Sequence, residues 1–225
     1  MGIEHRFVHT CAEAIALDFA SHAAAVRSPG RMALKRMLDV VLSILLLIVL
    51  TPLLGIVALL IRLDSSGPAL FRQTRLGRRG VPFEILKFRT MTVLENGDHV
   101  VQATRGDLRI SRIGSFLRQT SIDELPQLVN VLRGEMSLIG PRPHARVHDR
   151  YYSERIPHYA HRQAMRPGIT GWAQINGLRG ETRTVEAMRQ RVDRDVWYIE
   201  NFSLGLDCKI LLHTLFEIFR QRNAH

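Results

Sequence analysis

The stretch MLDVVLSILLLIVLTPLLGIVALLI, residues 37–61, decides how this chain is organised. A helix rises about 1.5 Å per residue, so a helix of this length reaches across a hydrocarbon core of roughly 30 Å with some tilt. The run begins too late and is too long for a secretory signal peptide, and no small-residue cleavage site follows it. A buried helix of a soluble domain seldom stays apolar for so long. The stretch therefore predicts a membrane segment.

Basic residues flank this segment on both sides. Lys35 and Arg36 precede it, and Arg62 follows it. Because Lys and Arg concentrate on the cytoplasmic side of membranes, the pattern places both ends in the cytoplasm. Asp39 lies one turn inside the apolar run, three residues after Arg36, and we expect these two side chains to form an ion pair at the interface.

Pro52 interrupts the segment near its middle. It removes one backbone donor and frees the carbonyl of Ile48, and the hydroxyl of Thr51 can satisfy a freed carbonyl. Two topologies follow. A bent helix would enter and leave by the same face, whereas a kinked helix would cross once with a conflicting charge bias. On the residues alone, the single crossing is favoured.

A second informative stretch is TSIDELPQLVNVLRGEMSLIGPRP, residues 120–143. Its adjacent acids, Asp123 and Glu124, have an ordinary explanation as helix capping. Ser121 and Glu124 fit the S-x-x-E capping box, or Asp123 is the N-cap and Pro126 falls in the first turn. The alternative is a catalytic carboxylate pair beside bound phosphate. The stretch alone favours capping.

Two arginines near the acid pair support the alternative. Arg118 lies just upstream, and Arg142 is held between two prolines, which limits where its guanidinium can point. Such an arginine can bind a phosphate through two parallel hydrogen bonds. A surface arginine in a proline turn is an equally acceptable interpretation.

Short strands are predicted over residues 69–74 and 82–88, around a Gly-rich turn. This hairpin would carry Lys87 and Arg89 towards phosphate or towards lipid headgroups. Apolar spacing also predicts helices over residues 111–119, 123–133, 184–198 and 204–219. The last of these is amphipathic, and the sequence leaves open whether it lies in the membrane interface or packs on the domain.

A Gly-rich loop, RPGITGWAQINGLRGET, spans residues 166–182. Its N–H groups can meet anionic oxygens, and Trp172 can stack on a base or a sugar ring. Ordinary turns explain the glycines equally well.

Composition narrows the partners. The formal net charge of +10 predicts anionic ligands, an anionic membrane surface or nucleic acid. The two cysteines, Cys11 and Cys208, make no disulfide framework and fit a reducing cytosol. No metal-binding histidine pattern, Ser-His-Asp signature or Walker loop is present in the sequence.

Taken in order, the motifs KRMLD, FRQTRLG, FEILKFRTM, TSIDELPQLVNVLRGEMSLIGPRP and PGITGWAQINGLRG resemble the bacterial sugar transferase family, the monotopic phosphoglycosyl transferases. The resemblance implies an α/β, mainly helical fold: an N-terminal cytosolic extension (1–31), a re-entrant membrane helix (32–63) and a cytosolic catalytic domain (64–225) with interfacial helices and a short β-hairpin. It reverses the preference for a single crossing. Larger members carry a further multi-pass N-terminal bundle, and the chain resembles only their catalytic half.

The resemblance also implies a reaction. Asp123 matches the nucleophile that attacks the sugar-linked phosphorus of a UDP-sugar, and Glu124 the second acid, which holds Mg²⁺ or manages a proton. Arg118 and Arg142 are implied phosphate contacts, with Lys87 and Arg89 as weaker candidates. The implied nucleotide-sugar loop consists of Arg166, Gly168, Thr170, Gly171, Gln174 and Asn176; Asp123 and Glu124 are the implied metal ligands; and Thr51 with Pro52 form the membrane kink.

The acceptor implied is undecaprenyl phosphate at the cytoplasmic face of the bacterial inner membrane, in exopolysaccharide or capsule biosynthesis. GPRPHA, the Tyr151–Tyr152 pair and RGET are similar to the branch that uses UDP-glucose, with UDP-galactose as the main competitor. No nucleic-acid partner is expected, and formation of a homodimer is left open. The rival hypotheses are direct displacement with Asp123 only as a metal ligand, a non-enzymatic membrane-anchored scaffold or regulator, and a membrane-tethered nucleic-acid binder, for which the sequence shows no binding motif.

Overall fold

The computed structural model describes residues 28–92 and 106–220, so most of the N-terminal extension lies outside the described residues. Helix α1 spans Pro29–Asp64, with a proline in its first turn and Pro52 inside it. It is long and apolar enough to cross a membrane by length and composition, with a mean hydropathy of 3.1 over its most apolar window, and 11% of that window is buried. The predicted membrane segment is therefore one exposed apolar helix.

The hydroxyl of Thr51 makes the kind of bond that the sequence predicts, but to a different carbonyl. Its Oγ1 donates to the carbonyl of Leu47 at 2.6 Å, and not to that of Ile48. This is the usual bond from a helical threonine to the carbonyl four residues earlier, and it loosens the helix locally beside Pro52.

The predicted hairpin is present. Strands β1, Leu70–Leu76, and β2, Pro82–Phe88, pair antiparallel with Leu70 opposite Phe88. A 3₁₀ turn, Arg78–Gly80, joins them. Phe83 and Ile85 on β2 enter the main core, so one face of the hairpin packs against the rest of the domain.

Two short helices flank the acid pair. Helix α2, Arg112–Thr120, is capped by the side chain of Ser111, which accepts from the Gly114 N–H. Helix α3, Gln127–Arg133, ends at Gly134, whose φ of 82° is the left-handed conformation that glycine adopts without strain. The predicted helix over residues 123–133 is therefore wrong in its first turn, since the acids lie in a separate 3₁₀ turn, Ile122–Glu124.

The rest of the chain builds the other side of the domain. Strands β3, Ser137–Ile139, and β4, Gly168–Thr170, form a small parallel sheet. Four helices complete the described chain: α4, Arg146–Ser153; α5, Trp172–Ile175; α6, Val185–Glu200; and α7, Leu204–Arg220. A 3₁₀ segment, Tyr159–Ala164, precedes β4. The main core joins the hairpin, α3, β3 and the end of α6, with Val131 and Met136 fully buried.

The first half of α1 is tied to the domain by polar contacts. Lys35 Nζ lies 2.6 Å from Asp207 Oδ2 on α7, and both side chains are buried. Arg36 donates to the carbonyl of Val131 at 2.6 Å and to the next carbonyl at 3.0 Å, at the C-terminal end of α3. A cation at that end is favoured because unpaired carbonyls carry partial negative charge there.

Asp39 does not form the predicted ion pair with Arg36. It accepts the hydroxyl of Ser137 at 2.8 Å and the N–H of Leu138 at 3.1 Å, and it is buried. Arg36 is drawn away to α3, and the donors at the start of β3 satisfy the carboxylate instead. The contact joins the membrane helix to the strand that leads into Arg142.

The second half of α1 packs on the same domain through apolar side chains. Val57 and Ile61 cluster with Phe88 at the end of β2 and Leu117 on α2, and all four are buried. Both halves of the apolar helix therefore contact one domain.

Candidate active site

The acid pair lies in the 3₁₀ turn between α2 and α3. Ser121 begins the turn with φ 61° and ψ 14°, a left-handed conformation that a residue with a Cβ seldom adopts. Such backbone strain concentrates at functional sites. The turn directs Asp123 and Glu124 inward, where they are 8% and 5% exposed.

The capping explanation of the acids is wrong. The Glu124 N–H donates to the carbonyl of Ser121, while the Ser121 hydroxyl accepts from Arg179 at 2.8 Å. No side-chain cap is made by Ser121 to the turn, and the N-cap of α3 is Pro126. The carboxylates are thus available for interactions with other side chains.

Glu124 is held by two cations. Its Oε1 accepts from Lys87 Nζ at 2.9 Å and from Arg142 Nη2 at 2.7 Å, and its Oε2 lies 3.3 Å from Arg142 Nη1. Burial by itself would raise the pKa of Glu124, but the charges of Arg142 and Lys87 outweigh burial and hold that pKa well below its ordinary value. Glu124 is therefore ionised at neutral pH, and it orients both cations.

Asp123 is different. Within the described residues its carboxylate makes no hydrogen bond. Burial, and then the charge of Glu124, raise the pKa of Asp123 from 3.8 to about 6, against the opposing charges of Lys87, Arg118 and Arg142. At neutral pH it is ionised, buried and without a donor. A carboxylate in this state is poised to bind a cation or to attack an electrophile.

Three of the four predicted cations act on Asp123, and one does not. Lys87, Arg118 and Arg142 all contribute to its electrostatic environment. Arg89 instead donates to the carbonyls of Ile61, Ser65 and Ser66 at the end of α1, at 3.4, 2.6 and 2.7 Å. Because its guanidinium serves those carbonyls, we assign Arg89 to attaching the membrane helix and not to contacting phosphate.

A buried polar network lies behind Arg142. Arg162, 5% exposed, donates to the Arg142 carbonyl and pairs with Asp195 Oδ2 at 2.9 Å. Its other terminal nitrogen lies 2.6 Å from His144 Nδ1 and 3.3 Å from the Tyr159 hydroxyl. The Pro-Arg-Pro turn is therefore held from behind by a charge pair.

Sequence reasoning missed this network because its members lie far apart along the chain. One signal was present. Arg191 and Asp195 fall on the same face of α6 as the fully buried Met188 and Val192, and both are buried. Charges at helical spacing within an apolar stripe predict a buried ion network.

The residues of the predicted nucleotide-sugar loop support the Arg142 turn. The Gly168 N–H donates to the Pro141 carbonyl. A Cβ at Gly168 would lie 2.1 Å from Gly140 N, and one at Gly171 would lie 2.2 Å from Gly140 O. These two glycines are therefore required by close backbone packing of β4 against the residues that follow β3.

The polar side chains of that loop also bond within the protein. Trp172, which the sequence offers as a stacking partner for a base or a sugar ring, stacks on Trp197 with ring centroids 4.8 Å apart. The remaining contacts are Arg166 Nε to the Gly134 carbonyl, Thr170 Oγ1 to Thr214 Oγ1, Gln174 Nε2 to the Ile169 carbonyl, and Asn176 Nδ2 to the Trp172 carbonyl. The structure thus does not bring these side chains to the acid pair.

The described residues contain no group of three or more His, Cys, Asp or Glu side chains that could hold a metal ion. A Mg²⁺ ion, however, needs only one or two protein carboxylates when substrate phosphates complete its shell. Asp123 fits this role because its oxygens lack donors. Glu124 does not fit, because both its oxygens face Lys87 or Arg142.

The site is thus a buried carboxylate pair among cations, on a domain that packs against an apolar helix long enough to cross a membrane. The chain belongs to the bacterial sugar transferase family, whose model matches residues 30–221. Over 191 residues it is 59% identical to the UDP-glucose:undecaprenyl-phosphate glucose-1-phosphate transferase of Caulobacter vibrioides, covering 85% of this chain and 72% of that protein.

Proteins of the same name in Escherichia coli K12 and Klebsiella pneumoniae are 50% and 48% identical to this chain. These matches cover 85% and 86% of this chain, but 41% and 42% of those proteins. The chain therefore spans about two fifths of the length of these two relatives.

Proposed function

We propose that this chain transfers glucose 1-phosphate from UDP-glucose to undecaprenyl phosphate and releases UMP. The substrates are those in the names of its relatives. The observation that carries the chemistry is Asp123, a buried carboxylate without a hydrogen-bond donor, beside three cations. Phosphoryl transfer depends on placing a nucleophile against phosphorus and neutralising the phosphate oxygens, and this site supplies both.

In the first step an Asp123 oxygen forms a bond to the sugar-linked phosphorus. The bond from that phosphorus to the bridging oxygen breaks, and its electron pair leaves with UMP. In the second step an oxygen of undecaprenyl phosphate attacks the same phosphorus and the bond to Asp123 breaks. The carboxylate is regenerated, and the product is a glucosyl diphosphate lipid. No proton needs to be removed from Asp123 above its pKa of about 6.

The remaining residues orient and neutralise. Glu124 fixes the positions of Lys87 and Arg142. The remaining donors of these two cations would bind the transferred phosphate. Arg118 adds charge from the last turn of α2. Mg²⁺, held by Asp123 and the substrate phosphates, would supply further charge neutralisation of the diphosphate. Glu124 acts on the reaction through the two cations.

The membrane arrangement proposed is a re-entrant helix at the cytoplasmic face of the inner membrane. Its support is that both halves of α1 contact one domain. Asp39 in the first half bonds to Ser137 on β3, and Ile61 in the second half packs beside Phe88. Helix α7 presents an exposed apolar side, which suits the membrane interface. The side chains that form it are Leu212, Leu215 and Phe216.

The test uses protein purified in nanodiscs, with Mg²⁺ and either UDP-glucose or UDP-galactose but no acceptor. Intact-protein mass spectrometry is expected to detect a hexose phosphate adduct, which added undecaprenyl phosphate removes. Asp123→Asn should form none, while Asp193→Asn, the same change at an exposed aspartate, should form it normally.

Other outcomes discriminate among the rivals. An adduct with UDP-galactose only would overturn the assignment of glucose. Release of UMP that requires the acceptor, without any adduct, would favour direct displacement, with Asp123 as a metal ligand. If no UMP is released from any UDP-sugar with acceptor present, the transferase proposal fails and a scaffold role gains support.

A further inference from the structure

Beside the acid pair lies a second group of basic side chains that the proposed chemistry does not use. Arg75 on β1, His144 after the Pro-Arg-Pro turn and Arg191 on α6 converge around Arg142. The backbone of Arg75 pairs with Ala145, next to His144. Arg191 is 5% exposed and His144 is 6% exposed, whereas Arg75 is partly buried.

Each of these side chains has a buried nitrogen without an acceptor. They are Arg75 Nε, Arg191 Nε and His144 Nε2. The histidine can be assigned a tautomer: because a guanidinium only donates, His144 Nδ1 must accept from Arg162 at 2.6 Å. Burial, and then the surrounding arginine charges, hold the pKa of His144 well below its ordinary value, so the ring is neutral and its proton is on Nε2. All three nitrogens are therefore donors.

The cluster also lacks negative charge. The acids that act on it are Asp149, Asp195 and Glu124. Asp195 pairs with Arg162, Asp149 accepts from Tyr159 and Glu124 pairs with Arg142, so none of them pairs with Arg75 or Arg191. Burial, and then the charge of Arg142, lower the pKa of both Arg75 and Arg191 to about 10. Unpaired donors and uncompensated positive charge in a buried site are costly unless an anion completes it.

We propose that Arg75, His144 and Arg191, together with Arg142, form a second phosphate subsite that binds the nucleotide-side phosphate of the donor. This inference rests on the proposed function. While the sugar-linked phosphate lies against Asp123, the neighbouring phosphate would lie in this subsite. Its charge increases as it departs in UMP, so the donors stabilise the leaving group more than the bound substrate.

The position of the subsite favours the nucleotide over the lipid acceptor. Helix α1 packs chiefly on α2, α3 and β3, and Arg118 lies on α2. Arg191 comes from α6, which packs on the 3₁₀ segment Tyr159–Ala164 and on α5. The subsite is therefore on the side of the acid pair away from the main contacts of α1, which suits a water-soluble nucleotide better than a lipid. A lipid phosphate shares the same chemistry, so the experiment must separate the two.

The experiment measures ligand affinity from the rise in melting temperature of the full chain in detergent, with UMP, uridine and farnesyl phosphate. Wild type should bind UMP at least about 100-fold more tightly than uridine, because hydrogen bonds to a charged group are each worth about 1.5–3 kcal/mol. Equal affinity for UMP and uridine would overturn the subsite without any variant.

The variants are Arg75→Gln and Arg191→Gln, with Arg183→Gln as the control at a side chain that is 73% exposed. Each subsite variant should weaken UMP binding by roughly 10- to 100-fold and leave uridine binding unchanged. Their unliganded melting temperatures should stay the same or rise, because removing a buried uncompensated charge relieves repulsion. A merely structural role would lower the unliganded melting temperature and leave UMP affinity intact, and this result would refute the proposal.

If the variants lose affinity for farnesyl phosphate and not for UMP, the subsite belongs to the acceptor and the proposal is wrong. Turnover of UDP-glucose by wild type is measured separately. If wild type turns over UDP-glucose and both variants bind UMP as tightly as wild type, the subsite proposal fails and the transferase proposal stands. If wild type is inactive but both variants bind UMP more weakly than wild type, the transferase proposal fails and the subsite remains as a nucleotide phosphate site.

Discussion

Replacing Asp123 with asparagine should abolish catalysis and stabilise the protein. The substitution keeps the shape of the side chain and removes a buried charge that no hydrogen bond satisfies. The pKa of Asp123 is raised from 3.8 to about 6. At 1.36 kcal/mol per pKa unit, ionising this group costs the folded state up to about 3 kcal/mol at neutral pH. For a chain of this size, such a gain corresponds to a rise in melting temperature of about 6–12 °C.

The pH dependence follows from the direction of that pKa. Because the folded protein binds this proton more tightly than the unfolded chain, the native carboxyl is not penalised below about pH 4, where both states are protonated. The penalty grows as the pH rises through 4 to 6 and is complete above 6. The advantage of Asp123→Asn should therefore be absent at pH 4 and largest at pH 7–8.

The assay is thermal unfolding of wild type and variant in the same detergent at several pH values between 4 and 8. Glu154→Gln removes an exposed charge and should show no such dependence. If Asp123→Asn lowers the melting temperature at pH 8, then the Asp123 carboxylate makes stabilising interactions, and the reasoning that it is a buried charge without a donor is refuted. Catalysis by wild type should also fall as the pH drops below about 6, because the nucleophile becomes protonated.

Three further predictions concern the support of the site. Glu124→Gln should lower stability by about 3–5 kcal/mol because it leaves the partly buried Arg142 and Lys87 without their carboxylate. Because the pKa of Glu124 is held well below its ordinary value, this effect should be complete at neutral pH and shrink only in strong acid, and an unchanged melting temperature at pH 7 would contradict the pairing. Gly140→Ala should prevent folding, since its Cβ would lie 2.3 Å from a backbone carbonyl. Gly180→Ala should fold normally, since its Cβ would meet nothing within 4 Å, and the expression level and circular dichroism spectrum of each variant test this difference. Asp39→Ala should cost about 1–3 kcal/mol and slow turnover, since it frees the start of the strand leading to Arg142; an unchanged rate would show that this tie does not reach the site.

Much of the fold could be predicted from local sequence patterns. The apolar run, the strand alternation around a Gly-rich turn and the helical spacing after Thr184 each depend on neighbours a few residues apart, and each element formed close to its predicted bounds. The helix predicted to begin at Asp123 failed for a physical reason. Glu124 gains two partly buried cationic partners by leaving a regular helix, and these outweigh capping.

Partners distant in the chain were beyond local reasoning. Asp39 has Arg36 three residues away, yet it bonds β3, almost a hundred residues later. Arg89 lies only two residues after Lys87, but β2 ends at Phe88, and the two side chains reach different partners. Lys87 contacts Glu124, and Arg89 contacts the carbonyls at the end of α1. Which of two nearby cations meets a phosphate depends on packing and not on spacing.

The long apolar helix, the order of the elements and the adjacent acids follow from the amino-acid sequence, because apolar length, periodicity and contiguous motifs are local properties. The pairing of Glu124 with two cations, the lack of a donor to Asp123 and the support of the Arg142 turn by the Gly-rich loop are visible only in the folded chain. The grouping of Arg75, His144 and Arg191 around Arg142 is likewise visible only in the folded chain. Charge, burial and hydrogen-bond satisfaction depend on groups that only folding brings together, so two adjacent carboxylates receive opposite pKa shifts and different roles.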